Sequence, residues 1–195
     1  MTGYLRQLGT AFRLLTLCTV LLGVLYPLVI FGLGQGIAAR QANGSIAEVG
    51  GRPAASSLIV QAVPEAETRL FFPRPSAVQW DPTGSGATNL GPTDPALAQS
   101  AAKARAAVAA REGVPEAAVP TDAVTASASG LDPDISPAYA QLQVPRVARA
   151  TGLGAAKVEQ LVADATTNGA LALLGQPSVN TTELNLAIAA AVRDR

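Results

Sequence analysis

The sequence predicts a single N-terminal transmembrane α-helix followed by one small mixed α/β (α+β) soluble domain on the extracytoplasmic side. Between Arg13 and Arg40 run 26 residues without a charge. As a helix they would reach about 39 Å, enough to cross a hydrocarbon core of about 30 Å with some tilt. Beyond residue 41, short apolar runs and capped helical segments share about 150 residues, a normal size for one core. The division is therefore 1–40, a short tail and the span, and 41–195, the domain.

The span is built from Leu14, Leu15, Leu17, Val20, Leu21, Leu22, Val24, Leu25, Leu28, Val29, Ile30, Phe31 and Leu33. Arg6 and Arg13 before it and the small pair Gly36 and Ala38 after it also suit a cleaved secretory signal. Its apolar core is far longer than the roughly 7 to 15 residues of a signal, which favours a retained anchor. Cys18 follows Leu17 where a lipoprotein site needs a small residue, so it reads as a lipid-depth thiol. Pro27, after Tyr26, removes one backbone donor mid-span and predicts a kink. Gly23, Gly32, Gly34 and Gly36 leave a face that another helix can approach closely. Arg6 and Arg13 are balanced by Arg40 and Arg52, so only the terminal amine favours a cytosolic start and an outer domain.

Composition narrows the chemistry. Hydrophobic residues make up 49% and aromatics only 4%, so alanine and aliphatic side chains must build the core. The first 41 residues hold three arginines and no acid; the remainder sets 11 bases against 14 acids, a net of about −3. That balance argues against nucleic acid, which wants a basic face. With no histidine and one cysteine, the usual zinc sites, Ser-His or Cys-His pairs and any disulfide within the chain are excluded.

In chain order, residues 41–53 read as a polar exit containing Gly50 and Gly51. Leu58, Ile59 and Val60 predict a short buried strand, and Leu70, Phe71 and Phe72 a second. From Pro73 to Pro95 five prolines and three glycines forbid regular structure. A loop that long in a compact domain is commonly functional or disordered, and its Trp80 is read as an interface anchor rather than a lid over the core. Asp94 or Thr93 caps a helix that starts at Pro95 and stops near Arg111 before Gly113. Ala123, Val124 and Thr125 suggest another strand. Ser136 and Pro137 open a helix to about Thr151, which Pro145 should bend or split. A further helix covers Ala155 to about Asn168, and the last starts near Thr181 with Glu183 in its first turn.

Three stretches could carry chemistry. Asp81, Pro82, Thr83, Gly84 and Ser85 echo the phosphorylated loop of ion pumps but lack its lysine, and coincidence is the better reading. The glycines and serines at 84–86 and 127–130 have neither spacing of a phosphate-cradling loop and read as turns. Asp132 and Asp134, beside a helix start, read as capping and dipole partners before they read as a cation site.

The order of motifs, however, resembles the C subunit of the bacterial Kdp potassium-transporting P-type ATPase. The resemblance rests on Gly23, Tyr26, Pro27, Leu28 and Gly32; on Ala42, Asn43, Gly44 and Ser45; on Phe72, Arg74, Pro75 and Ser76; and on Ser85, Gly86, Asn89, Gly91 and Pro92. It continues through Ser127, Ser129, Gly130, Leu131, Asp132, Pro133, Ser136 and Pro137, then Gln143, Arg146 and Val147, and Asn180, Glu183, Leu184 and Asn185. Asp134 stands where that family usually has histidine or asparagine, and Val60 where it has glycine. The resemblance implies a non-catalytic subunit of a high-affinity potassium uptake complex in the bacterial inner membrane. Its partners would be a channel-like A subunit, an ATP-hydrolysing B subunit and a small F subunit. It further implies a catalytic chaperone that raises the affinity of the B subunit for ATP, with Gln143 as nucleotide contact and no tightly bound cofactor. The alternative is a cap or selectivity filter over the potassium entrance without nucleotide contact, because a domain outside the membrane is separated from cytosolic ATP by the bilayer. Gly23, Tyr26, Pro27, Gly32, Arg74, Trp80 and Asn89 are the interface candidates.

Overall fold

The computed structural model describes residues 2–167 and 175–194 and divides into two compact units, 1–45 and 46–195. The first is a helical rod: α1 (Thr2–Val20), a π-turn (Leu21–Leu25) and α2 (Tyr26–Ile37), with a short α3 (Ala39–Ala42) after a break at Ala38. The rod is apolar, long enough to cross a membrane, and none of its central residues is buried within the chain. The π-turn is the answer to Pro27. A proline ring collides with the carbonyl four residues back, and the wider turn just before it carries the Tyr26 N–H to Leu21 O instead. At the far end, the Gln35 and Asn43 amides pair with each other, and Asn43 Nδ2 also donates to Ala39 O at 2.7 Å.

The second unit places four helices around a small sheet: α4 (Pro95–Glu112), α5 (Pro137–Thr151), α6 (Ala155–Asp164) and α7 (Thr181–Arg193). Strands β3 (Asp134–Ile135), β4 (Thr166–Thr167) and β5 (Ser178–Asn180) form an antiparallel sheet in the order β3-β5-β4. A separate hairpin pairs β1 (Ile46–Val49) with β2 (Arg52–Ser56). Phe71, Val108, Ile135, Tyr139, Val147, Val158, Val179, Leu184 and Ile188 are central to the core.

The helix starts follow their caps. Asp94 accepts from Ala96 N at 2.8 Å, Ser136 from Tyr139 N at 3.0 Å and Asn180 from Glu183 N at 3.0 Å, each satisfying a donor of the first turn. Gly113 and Gly152 close α4 and α5 at φ +70°. Helix α6 stops at Asp164, and Asn168, where the sequence reading ended it, lies outside the described residues.

Five expectations are corrected. Residues 46–56 form a hairpin rather than an unstructured exit, because Gly50 and Gly51 at φ +60° and +74° make the tight two-residue turn that such hairpins favour. The segment around Leu58 to Val60 is an irregular turn whose Leu58 faces solvent, the strand having formed just upstream. Ala123 and Val124 lie in a single 3₁₀ turn, Thr121–Val124. Of the two outcomes expected at Pro145, a bend or a split, the split does not occur: α5 runs unbroken through Pro145, which is exposed while Tyr139, Ala140, Val144 and Val147 anchor the buried face. The anticipated strand at Leu70 to Phe72 does not form: Leu70 lies in a bend, and Phe71 and Phe72 join no sheet among the described residues, for the reason given next.

Candidate functional site

A buried segment must satisfy its backbone donors and acceptors somewhere. For Phe71 and Phe72 that task falls to two side-chain amides. Asn185 on α7 accepts from Phe71 N at 2.7 Å and donates to Phe71 O at 2.9 Å. Gln143 on α5 accepts from Phe72 N at 2.7 Å and donates to Phe72 O at 3.1 Å. Each carboxamide mimics a neighbouring strand, so two helices pin consecutive residues of one strap.

Arg146, one turn along α5, extends the clamp. Its guanidinium donates to Thr68 O, to Leu70 O at 2.9 Å and to Gln143 Oε1 at 2.8 Å. Its counter-charge is Glu112, the last residue of α4, at 3.0 Å, with side chains 6% and 0% exposed. Arg111 adds a second ion pair to Glu112 at 2.8 Å, donates to the Tyr139 hydroxyl at 2.9 Å and stacks over the Phe72 ring 4.0 Å from its centre. Burial lowers the Arg146 pKa while Glu112 opposes the shift; burial also raises that of Tyr139 against the pull of Arg111.

Downstream of the strap, the proline-rich loop is tied to the segment 125–132. Arg74 forms an ion pair with Asp132 at 3.0 Å and donates to Thr125 O and Ala126 O. Ser76 Oγ donates to Gly130 O at 2.8 Å and accepts from the N–H groups of Val78 and Trp80. Gly86 N and Ser85 Oγ both donate to Ser129 O, and Ser127 N donates to Pro75 O. Trp80 is half-buried, donates from Nε1 to Arg74 O at 3.0 Å, and lines a groove of about 260 Å³ with Phe72, Pro73 and Arg111. Gln79, Trp80 and Asn89 have φ between +53° and +58°, unusual for residues with a side chain. The result is a cross-linked platform whose exposed polar surface includes Gln79, Asp81, Thr83, Thr88, Asn89 and Ser129.

The structure thus joins Arg74 and Trp80 in the platform and puts Asn89 on its exposed side. Gly23, Tyr26, Pro27 and Gly32 lie on the rod, in the other unit. Gln143 is 0% exposed and its amide is engaged on both sides, so it presents no surface to a ligand in this conformation. Asp81 accepts from Thr83 N and Oγ1, closing a local turn that lowers its carboxyl pKa. Among the described residues no cluster of three metal-ligating side chains occurs. Asp132 is committed to Arg74, and Asp134 accepts from Ser178 Oγ at 3.0 Å. Glu112, Arg111 and Asn185 were not singled out from sequence as site residues. A usable signal was Gln143 and Arg146 recurring on the same helical face as Tyr139 and Val147, since polar groups on a buried face have to be paired there.

Burial raises the Asp134 pKa, the Ser178 bond opposing it and Asp132 and Glu183 adding to it. A carboxylate with a raised folded-state pKa costs stability above its titration range and none below. Asp134→Asn, which keeps an acceptor for Ser178, should therefore raise Tm slightly at pH 7. That gain should vanish as pH falls through the carboxylate range, as thermal unfolding at several pH values will show.

The profile of the family described as KdpC, the c chain of the K+-transporting ATPase, matches residues 8–190. A potassium-transporting ATPase KdpC subunit from Kineococcus radiotolerans is 47% identical over 193 residues, covering 98% of this chain and 97% of its own. One from Geobacter sulfurreducens is 40% identical over 94% and 97% of the two chains, and one from Ralstonia nicotianae 46% identical over 95% and 90%. With an apolar rod, a domain of clamped loops and near-complete coverage by such relatives, the chain belongs to the KdpC family, the accessory rather than the catalytic subunit of potassium-transporting ATPases.

Proposed function

We propose that the chain is the assembly and capping subunit of a potassium uptake pump. The rod crosses the inner membrane once, residues 46–195 lie on the outer side, and the platform around Trp80 rests on a channel-like A subunit near its ion entrance. The ATP-hydrolysing B subunit and the small F subunit complete the complex. The observation that carries this reading is the state of Gln143: buried, with its amide spent on Phe72 and Arg146, it organises the strap that leads into the platform. Any effect on the affinity of the B subunit for ATP then passes through the membrane subunits as a coupling free energy, without nucleotide contact.

Gln143→Ala in the assembled complex tests the reading. Losing the amide leaves Phe72 N and O unpaired in the core and should cost about 2–4 kcal/mol of domain stability. Less complex should assemble, and what assembles should keep its KM for ATP. Normal assembly with a raised KM for ATP would instead support direct nucleotide contact at Gln143. The side of the membrane is tested separately, by labelling a cysteine placed at Ala77 in a Cys18→Ser background with an impermeant reagent in intact cells.

A further inference from the structure

The hairpin of β1 and β2 turns an isoleucine outward. Along β1 exposure alternates, with Ala47 and Val49 half-buried and Ile46 and Glu48 exposed. Among the described residues beyond 45, the large aliphatic side chains that stand exposed are Ile46 at 45%, Leu58 at 58% and Leu97 at 36%. The first two belong to one end of the hairpin: Ile46 pairs with Ser56, whose Oγ accepts from Leu58 N at 3.2 Å. Leu58 is not exposed because its segment is loose. The carbonyls on either side of it are held from the start of α7, Ser57 O by Asn180 Nδ2 at 2.8 Å and Ile59 O by Thr182 Oγ1 at 2.9 Å.

Connectivity ties this end of the hairpin to the end of the rod. The Asn43 amide is bonded to Gln35, in the last turn of α2, and Ile46 follows three residues later, a reach of about 10 Å. The uncharged window closes nearby, at Arg40. We propose that the open end of the hairpin rests on the phospholipid surface of the bilayer that the rod crosses, with Ile46 and Leu58 at the boundary between headgroups and acyl chains. The proposal rests on the reading of the rod as a retained membrane span. Aliphatic side chains left in water gain nothing there, whereas the interface admits the apolar side of a surface-bound element to a depth of about 5–10 Å. Glu48 shares the outward face with Ile46 but sits nearer the Gly50-Gly51 turn, as does Arg52. The turn therefore stays among the headgroups, where the Arg52 guanidinium meets lipid phosphate. A two-stranded hairpin alone is marginally stable in water. Ala54 and Ala55 line a groove with Leu186 and Ala189 of α7, and the lipid surface supports the end that carries Ile46 and Leu58.

The test uses the whole complex, reconstituted in vesicles, with Cys18→Ser in this chain and the other accessible cysteines replaced. A fluorophore is attached through Ile46→Cys, Leu58→Cys or Leu97→Cys, one at a time, and quenched by phospholipids carrying a spin label high on the acyl chain. Quenching at 46 and 58 should exceed that at 97, on the opening turn of α4, by on the order of twofold or more. A label on Leu21→Cys, mid-span, reports the rod with lipids labelled near the chain ends. Quenching at 46 or 58 no greater than at 97, with the label at 21 quenched, overturns the proposal and leaves the span standing. An unquenched label at 21 overturns both.

Discussion

Glu112→Ala is expected to be among the most damaging single substitutions in the domain. It removes the counter-charge of Arg146, whose guanidinium is 6% exposed and cannot turn to solvent without abandoning Thr68 O, Leu70 O and Gln143. Breaking one side of a buried ion pair costs about 3–5 kcal/mol, because the remaining charge stays desolvated. At about 2–4 °C per kcal/mol for a domain of this size, Tm should drop by about 10 °C. Trp80, the sole tryptophan, reports the transition by fluorescence. The double variant Glu112→Leu with Arg146→Met should recover part of the loss, since apolar replacements of a buried pair are often tolerated. Recovery should be incomplete, because Thr68 O and Leu70 O lose their donor as well. A double variant no better than Glu112→Ala would mean that the charge on Arg146 is not what makes the single change costly.

That cluster also marks where the sequence stops being legible. Local rules found α4, α5 and α7 within a residue or two, because Asp94, Ser136, Gly113 and Gly152 act on the turns beside them. The same rules misread Leu70 to Phe72, whose apolar run suits a strand. Its hydrogen-bond partners sit 71 and 114 residues away in sequence, on Gln143 and Asn185, and no local pattern announces a carboxamide standing in for a strand. The hairpin at 46–56 was readable from its glycine pair but was obscured by the small residues Ala47, Ala54 and Ala55, which give little alternation. For the site, resemblance to a family marked Gln143 but could not say what it touches. Its position on the face shared with Tyr139 and Val147 already made it a core residue, and the core is where the structure places it. Where the sequence predicts a kink at Pro27, the structure has a π-turn, Leu21–Leu25, just before it, set by how the preceding carbonyls avoid the ring rather than by any propensity.

Gly130→Ala should disable the platform with little effect on the helices. Gly130 has φ +71°, a conformation that costs a residue with a Cβ roughly 1–2 kcal/mol. The added carbon would also stand 2.6 Å from Val78 Cγ2, 2.8 Å from Gly86 O and 3.1 Å from Ser76 Oγ. Val78 could change rotamer, but Gly86 O is backbone, and Gly86 is held by its own bond to Ser129 O at 2.9 Å. The two loops must therefore separate, which adds overpacking strain of about 1–3 kcal/mol and breaks the Ser76 and Ser85 bridges between them. Because Tyr139, Val147, Leu184 and the strap lie outside this contact, helix content should persist while Trp80 loses its Arg74 anchor. The expected signature is a red-shifted and more quenchable Trp80 emission with a nearly unchanged far-ultraviolet circular dichroism spectrum. If the platform is the surface that meets the A subunit, the same variant should lose assembly in proportion to the Trp80 shift. Loss of assembly with native Trp80 emission would place the contact elsewhere on the domain.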